Sequence, residues 1–193
     1  MHESSDNSVS HILMQLRGIW HDKVAAFDLD GSALAFDTHA GSPGASPFEN
    51  LVYIDFDGKT MTQTNVTFRG RETSAKTFTG HLDQGVLVFD SLGAGAYENI
   101  GMAAGPNALI YSARTINDSC QRYFEPDFIQ LTGPDSRIRT TVLYRGGKAV
   151  RTLRAEGTRL ANDCRQRHAY DPRGSNGPVH ELPAQSDVWR SNS

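Results

Sequence analysis

The sequence predicts an all-β protein, an antiparallel up-and-down barrel of about 8–10 strands that follows a short N-terminal helix. Alternating apolar and polar residues form roughly nine to eleven short runs at near-regular spacing, as expected of a barrel or sandwich. Several of these runs are joined by Asp-Gly or Gly-Gly pairs, which favour hairpins. No segment between the runs is long and periodic enough to be the crossover helix of a parallel sheet.

The chain begins with polar residues, and we expect residues 1–10 to be flexible. Ser8 or Ser10 can cap a short helix, because apolar residues recur at helical spacing over 12–17. Gly18 then ends the helix, and Trp20 begins the first strand.

Two Asp-Gly pairs predict the first hairpins. Asp30-Gly31 joins the runs 20–29 and 32–37, and Asp57-Gly58 joins 51–56 and 59–68. A type I′ turn needs positive φ at two positions, which these pairs tolerate.

The remaining runs complete the predicted barrel. They are 74–82, 85–92, 107–115, 120–124, 128–132, 137–144 and 148–156, with Gly146-Gly147 between the last two. The glycine-rich segment 93–106 and the segment 38–47 are expected to be loops beside a ligand site. The barrel domain is therefore placed at 11–157, and the polar segment 158–193 is expected to be a loosely ordered tail.

The composition excludes several classes of function. The chain has 193 residues and a net charge of −3, so a single domain without a basic nucleic-acid-binding face is expected. No apolar run is long enough to span a membrane, and the polar start favours a cytoplasmic protein. The seven histidines and two cysteines lack metal-ligand spacing, so neither a metal nor a cofactor is expected.

One motif supports a different function. The run 24–29 followed by Asp30-Gly31 resembles the nucleophile motif of the haloacid dehalogenase superfamily, which implies a magnesium-dependent phosphatase that uses Asp28 and Asp30. The same pattern recurs at Asp55-Phe56-Asp57-Gly58, again between strand-like runs, so hairpin turns explain both copies better.

Strand parity places charged residues on faces that are not cleanly apolar. Arg137, Arg139, Thr141 and Leu143 share one face of their run. An arginine inside a barrel needs a carboxylate or an anionic ligand, and Glu125 and Glu156 are candidate partners. The alternative is that Arg122, Arg139 and Arg154 face solvent.

Two features resemble a known family. The Gly18-x-Trp20 element after a short helix is similar to the opening of the lipocalin-like (calycin) barrels. The hairpin over 137–156 resembles the closing hairpin of a poorly characterised calycin-like family of cyanobacteria and plastids, which is similar in fold to the phycobiliprotein chromophore lyases. This resemblance implies a barrel with a structural Trp20.

The predicted function is the binding of a small, largely apolar molecule inside the barrel. A cofactor-free cyclase or isomerase, a lyase-like pigment carrier and the phosphatase are the alternatives, and the oligomeric state stays open. Aromatic and cationic residues on or beside the strands are the candidate ligand contacts: Tyr53, Tyr97, Arg122, Tyr123, Arg139, Tyr144 and Arg154.

Overall fold

The computed structural model describes residues 8–34, 48–69, 72–90, 97–115 and 123–165. One helix, α1 (Val9–Leu16), precedes the strands. The strands are β1 (Gly18–Phe27), β2 (Ala33–Leu34), β3 (Phe48–Phe56), β4 (Thr60–Arg69), β5 (Glu72–Asp83), β6 (Val86–Phe89), β7 (Tyr97–Gly105), β8 (Ala108–Thr115), β9 (Tyr123–Gly133), β10 (Ser136–Arg145) and β11 (Lys148–Ala161).

The strands form a closed antiparallel barrel. From β3 to β11 each strand pairs with the next, β1 pairs with β3, and the pairing of β11 with β1 closes the ring of ten. The short strand β2 is additional and pairs with the end of β1. This architecture confirms the predicted all-β barrel with a short N-terminal helix.

Both Asp-Gly pairs lie in hairpin turns, as predicted, but neither turn is type I′, since the glycine has a positive φ and the aspartate does not. The Asp30 carboxylate accepts hydrogen bonds from the backbone N–H and the hydroxyl of Ser32. Gly31 and Gly58 have φ values of 86° and 97°, which a residue with a Cβ rarely adopts. The motif that resembles a phosphatase nucleophile therefore lies in a turn between strands and not in the α/β sheet that this chemistry requires.

Two strands differ from the prediction. Part of the expected 93–106 loop is strand β7, where Gly101 allows close packing, since a Cβ there would lie 3.0 Å from the ring of Tyr111. Strand β9 (Tyr123–Gly133) covers the end of the predicted run 120–124 and the whole of the run 128–132, with Pro126 inside it, and residues 120–122 lie outside the described residues. Glycine and proline predict breaks between strands, but in β7 and β9 tertiary packing decides the backbone conformation.

Helix α1 closes one end of the barrel. Ser8 caps it by accepting a hydrogen bond from the N–H of His11 at 3.2 Å. The helix contacts β3 on one side of the ring and β7 and β8 on the other. Its buried residues join the interior apolar cluster, which comprises Val9, Ile12, Leu13, Leu16, Trp20, Val52, Ile54, Phe56, Met61, Leu87, Leu109, Tyr111, Ile129 and Leu131.

Trp20 and Arg159 attach α1 to the barrel. The Trp20 indole N–H donates to the carbonyl of Leu16 at 2.8 Å. The Arg159 guanidinium lies 4.3 Å from the Trp20 ring and donates to the carbonyls of Gln15, at 2.6 Å, and Arg17. A cation that binds the last carbonyls of a helix is favourable, so α1 is fixed at its C-terminal end.

A second apolar cluster lies on the outer face of the barrel. It comprises Ile19, Leu51, Tyr53 and Val66, with Cys164 packed against it. These residues alternate with the interior residues along β1, β3 and β4, as the period of a strand requires. In the part of the chain described, no helix has the length and apolarity needed to cross a membrane.

Candidate functional site

The interior of the barrel, called the lumen, is apolar beside α1 and mixed further along its axis, where polar residues share the interior face with a smaller apolar cluster of Val24, Phe48, Ala155 and Leu153. The end beside α1 is filled by the apolar cluster. Further along, the strand register turns polar side chains to the same interior face: Asp22, Asn50, Gln63, Asn65, Lys76, Asn99, Glu125, Asp127, Arg137, Arg139, Thr141 and Arg151. Buried polar groups are costly unless they are paired, so their partners decide what the lumen can bind.

A buried ion pair separates the two regions. Arg137 donates to Asp22 through Nη2 at 2.8 and 2.9 Å and through Nε at 3.1 Å. Both side chains are at least 97% buried, and the guanidinium lies 4.5 Å from the Trp20 ring. The geometry is the bidentate arrangement that makes such a pair strong.

Gly157 makes room for this ion pair. It lies opposite Asp22 on β1 and opposite Arg137 on β10. A Cβ at this position would lie 2.4 Å from Asp22 Oδ1 and 2.7 Å from Arg137 Cγ.

Replacing Gly157 with alanine is expected to lower the free energy of unfolding by about 1–3 kcal/mol, since the added methyl group displaces the ion pair. Urea denaturation followed by circular dichroism measures the change. Thr158→Ala, an exposed neighbour on the same strand, is the control and should change it by under about 0.5 kcal/mol. Equal stability of the Gly157 variant and the wild type would contradict this assignment.

A second charged group lies deeper towards the polar end. Arg139 Nη2 donates to Asp127 at 2.5 Å, and the hydroxyl of Thr141 donates to the other carboxylate oxygen. Burial would lower the pKa of Arg139, but the Asp127 carboxylate outweighs burial and raises it, so the guanidinium remains charged. Arg139 keeps 20% of its side-chain surface accessible inside a closed barrel, and Asp127 keeps 12%, so both border accessible space.

Glu125 and Lys76 lie at the end of the lumen away from α1. They belong to β9 and β5, which are not neighbours in the sheet, and yet each affects the pKa of the other. Burial raises the pKa of Glu125 to about 7, Asp127 adds to this rise, and the nearby Arg139, Lys76 and Arg151 oppose it. Burial lowers the pKa of Lys76, and Glu125 opposes that change. Strand register places both residues on the lumen face of their strands.

Several polar atoms on the lumen face are buried without a hydrogen-bond partner. These atoms are Asn50 Oδ1, Gln63 Oε1, Asn99 Oδ1, Arg137 Nη1 and Arg139 Nε. Three are amide acceptors and two are guanidinium donors. Each unsatisfied group costs about 1–3 kcal/mol unless water or a ligand pairs with it. The lumen thus contains acceptors and cationic donors whose pairing capacity is unused, and because none of these atoms has accessible surface, a bound molecule reaches them only when neighbouring side chains move.

The candidate ligand contacts predicted from the sequence are distributed over both faces. Arg139 lies in the lumen, as described. Tyr53 and Arg154 instead lie on the outer face, Tyr53 in the outer apolar cluster and Arg154 at 3.5 Å from the exposed Glu156. The reason is strand parity, because each lies one residue from a lumen-facing position.

For three other candidates, the structure gives the position on a strand but no contact with the lumen. Tyr144 is half-buried and follows a register shift at the end of β10. The backbones of Tyr97 and Tyr123 begin β7 and β9. Arg122 lies outside the described residues. The role of all seven as ligand contacts stays a prediction.

Several lumen residues are not among the candidates predicted from the sequence. The sequence does point to Asp22, since it shares a strand face with Trp20 and Val24, where an unpaired carboxylate would be costly. Nothing in the sequence points to Lys76 or Asn99, because their strand faces mix polar and small residues. Among the described residues, no group of three or more His, Cys, Asp or Glu side chains suits a metal ion.

Comparisons with known proteins agree with the fold. No protein-family model and no curated protein matches the sequence. A protein of unknown function from the DUF3598 family of Nostoc punctiforme matches in structure with a TM-score of 0.55 and 17% identity, over 77% of this chain and 49% of that one. The chain thus spans about half the length of that protein.

A second match is the S-type phycobiliprotein lyase CPES of Guillardia theta. It has a TM-score of 0.53 and 13% identity, and the match covers 80% of this chain and 94% of the lyase. At these identities the likeness concerns the fold. The chain is therefore a lipocalin-like barrel similar in fold to a phycobiliprotein lyase, as the Gly18-x-Trp20 element and the closing hairpin indicated.

Proposed function

We propose that this protein binds a small, largely apolar, pigment-like molecule in the lumen and acts as a lyase-like carrier. The observation that carries the proposal is the set of unpartnered polar atoms on the lumen face. A ligand with an apolar body and a few polar groups complements such a surface. Its apolar part would pack against the smaller apolar cluster beyond the ion pair, formed by Val24, Phe48, Ala155 and Leu153, and its acceptor groups would meet the arginines.

The fold supports the same conclusion. An antiparallel barrel of this size can enclose one small ligand. The accessible surface of Arg139 and Asp127 indicates space within the lumen. A protein similar in fold is a phycobiliprotein lyase, so we propose that a pigment-like ligand is presented to a protein partner.

Two probes test the binding. Retinoic acid and retinol share one polyene and differ in their polar end group. Both are expected to bind the full-length chain, and the acid is expected to bind more tightly because Arg139 Nε can donate to its carboxylate. Isothermal titration calorimetry measures both affinities, and failure of both probes to bind would contradict a ligand-binding lumen for this class of molecule.

Arg139→Met is expected to weaken retinoic acid binding by roughly 10- to 100-fold and to leave retinol binding nearly unchanged. The reason is that a hydrogen bond to a charged group contributes about 1.5–3 kcal/mol. Arg154→Met removes an arginine from the outer face and is the matched control. Arg139→Lys keeps the charge beside Asp127 in case the methionine variant fails to fold. An equal loss for both probes, or none for either, would contradict a specific role for Arg139.

A cofactor-free isomerase or cyclase is the second candidate. It is favoured by Glu125, because a carboxyl group whose pKa lies near 7 is suited to move protons at neutral pH. Chromatography of retinoic acid isomers after incubation tests it with this probe. Isomer conversion that Glu125→Gln abolishes would support the proposal, and conversion equal to that in buffer would oppose it.

A further inference from the structure

The outer face of β7, β8 and β9 carries exposed apolar side chains. Met102, Ile110 and Phe128 are direct cross-strand partners on these strands. They alternate with residues packed in the interior, so they lie on the outside of the barrel. Met102 and Phe128 are 41% and 39% exposed, whereas the apolar cluster on the outer face of β1, β3 and β4 is buried. With neighbours on β6, β7 and β10 they form the exposed patch: Val88, Ile100, Met102, Ile110, Phe128 and Ile138.

The exposed patch lies in an uncharged part of the outer face. Every side chain that the structure describes on the outer face of β7 to β10 is uncharged. The charged side chains described in these strands all face the lumen: Glu125, Asp127, Arg137 and Arg139. Elsewhere the outer face carries charges, as at Glu49 on β3 and Arg154 on β11. The centre of a protein interface is typically depleted of charge and enriched in methionine and aromatic residues, which is the composition of this patch.

The size of the exposed patch matches that of a small protein interface. Neighbouring strands lie about 4.8 Å apart, and side chains on one face repeat about every 6.8 Å along a strand. The strands β6 to β10, with roughly three outward residues each, therefore present a face of about 400 Å². Apolar patches of a few hundred Å² often mark interaction sites. Two such faces with their polar rim bury about 1,000 Å² in total, which is the lower limit for a specific interface.

We propose that the exposed patch is a dimer interface, occupied by a second copy of this chain. Symmetric pairs are the commonest oligomers, and in them one surface patch meets the same patch of the other copy. An uncharged patch suits this arrangement, because a charge near the two-fold axis would meet its own copy and repel it. The inference goes beyond the proposed ligand binding and does not depend on it.

This dimer leaves the polar end of each barrel accessible. Leu109 and Ile129 adjoin Ile110 and Phe128 in sequence and belong to the interior cluster beside α1. The exposed patch therefore surrounds the half of the barrel that α1 closes. The opposite end stays clear of the second copy, so the two lumens of a dimer are independent of each other.

Analytical ultracentrifugation of the full-length chain tests the proposal. Between about 1 and about 500 μM, the wild type is expected to show a reversible monomer–dimer equilibrium, with a Kd of roughly 1–100 μM because the interface is small. Phe128→Glu is expected to raise the Kd at least roughly tenfold, since each dimer would bury two carboxylates without partners. Met102→Glu should act in the same direction. Leu29→Glu adds the same charge at an exposed apolar residue outside the patch and should leave the Kd unchanged.

Circular dichroism checks that each variant keeps the fold of the wild type. Phe128→Ala removes the ring without adding a charge, and it should weaken dimerisation at least roughly threefold if the glutamate variant fails to fold. A wild type that stays monomeric over the whole concentration range would overturn the proposal and leave the patch for a different protein. A dimer whose Kd is unchanged in the Phe128 and Met102 variants would overturn it as well, because its interface would lie elsewhere.

Discussion

Replacing Asp22 with alanine is expected to lower the free energy of unfolding by about 3–5 kcal/mol, because it leaves the Arg137 guanidinium buried without its counter-charge. Arg137 is 97% buried, and its bonds to Asp22 span β1 and β10. Chemical denaturation monitored by tryptophan fluorescence measures the change.

Two controls make this result specific. Glu156→Ala removes one partner of the exposed pair with Arg154, and it should cost under about 1 kcal/mol. The double variant Asp22→Ala, Arg137→Met should recover much of the lost stability, since no isolated charge remains. If Asp22→Ala is no more destabilising than Glu156→Ala, the ion pair does not hold these strands together.

Glu125→Gln is expected to stabilise the protein above pH 7 by up to about 3 kcal/mol. Burial raises the pKa of Glu125 from 4.5 to about 7, so ionisation of this residue is unfavourable in the folded state. Between these two pH values the unfolded chain releases the proton while the folded chain keeps it. The contribution of Glu125 to stability therefore falls as pH rises through this window, and the penalty is complete above pH 7.

The pH dependence tests this assignment better than stability at one pH. Denaturation curves at pH 4.5 and pH 8 should show the two proteins nearly equal in stability at the lower value and furthest apart at the higher one. Glu156→Gln changes an exposed carboxyl group and should show little difference at either pH. A gain for Glu125→Gln that is the same at pH 4.5 and pH 8 would indicate a packing effect and not a buried ionisation.

Much of the fold was predictable because local signals and the barrel agree. The Asp30-Gly31 and Asp57-Gly58 pairs are hairpin turns, and the helix begins after Ser8 and ends before Gly18. The glycines of β7 made this strand look like a loop. Gly101 is needed because the Tyr111 ring leaves no room for a Cβ, and not because of its backbone conformation. Contacts between strands distant in sequence leave no local pattern.

The site was less predictable for the same reason. Strand parity correctly grouped Arg137 with Arg139 on one face. It did not identify their partners, because Asp22 lies 115 residues from Arg137 and is placed by the closure of the barrel. The effect of Lys76 on the pKa of Glu125 joins two strands that do not pair, so no register derived from sequence predicts it.

The closed base formed by α1 has a kinetic consequence for a carrier. With the helix fixed by Trp20 and Arg159, a ligand bound as proposed would exchange through the opposite end of the barrel. Under the carrier proposal, a donor and an acceptor protein would then compete for that one end and could not be engaged together. Delivery would be sequential: the donor would dissociate before the acceptor binds, and the loaded barrel would be a free intermediate between them.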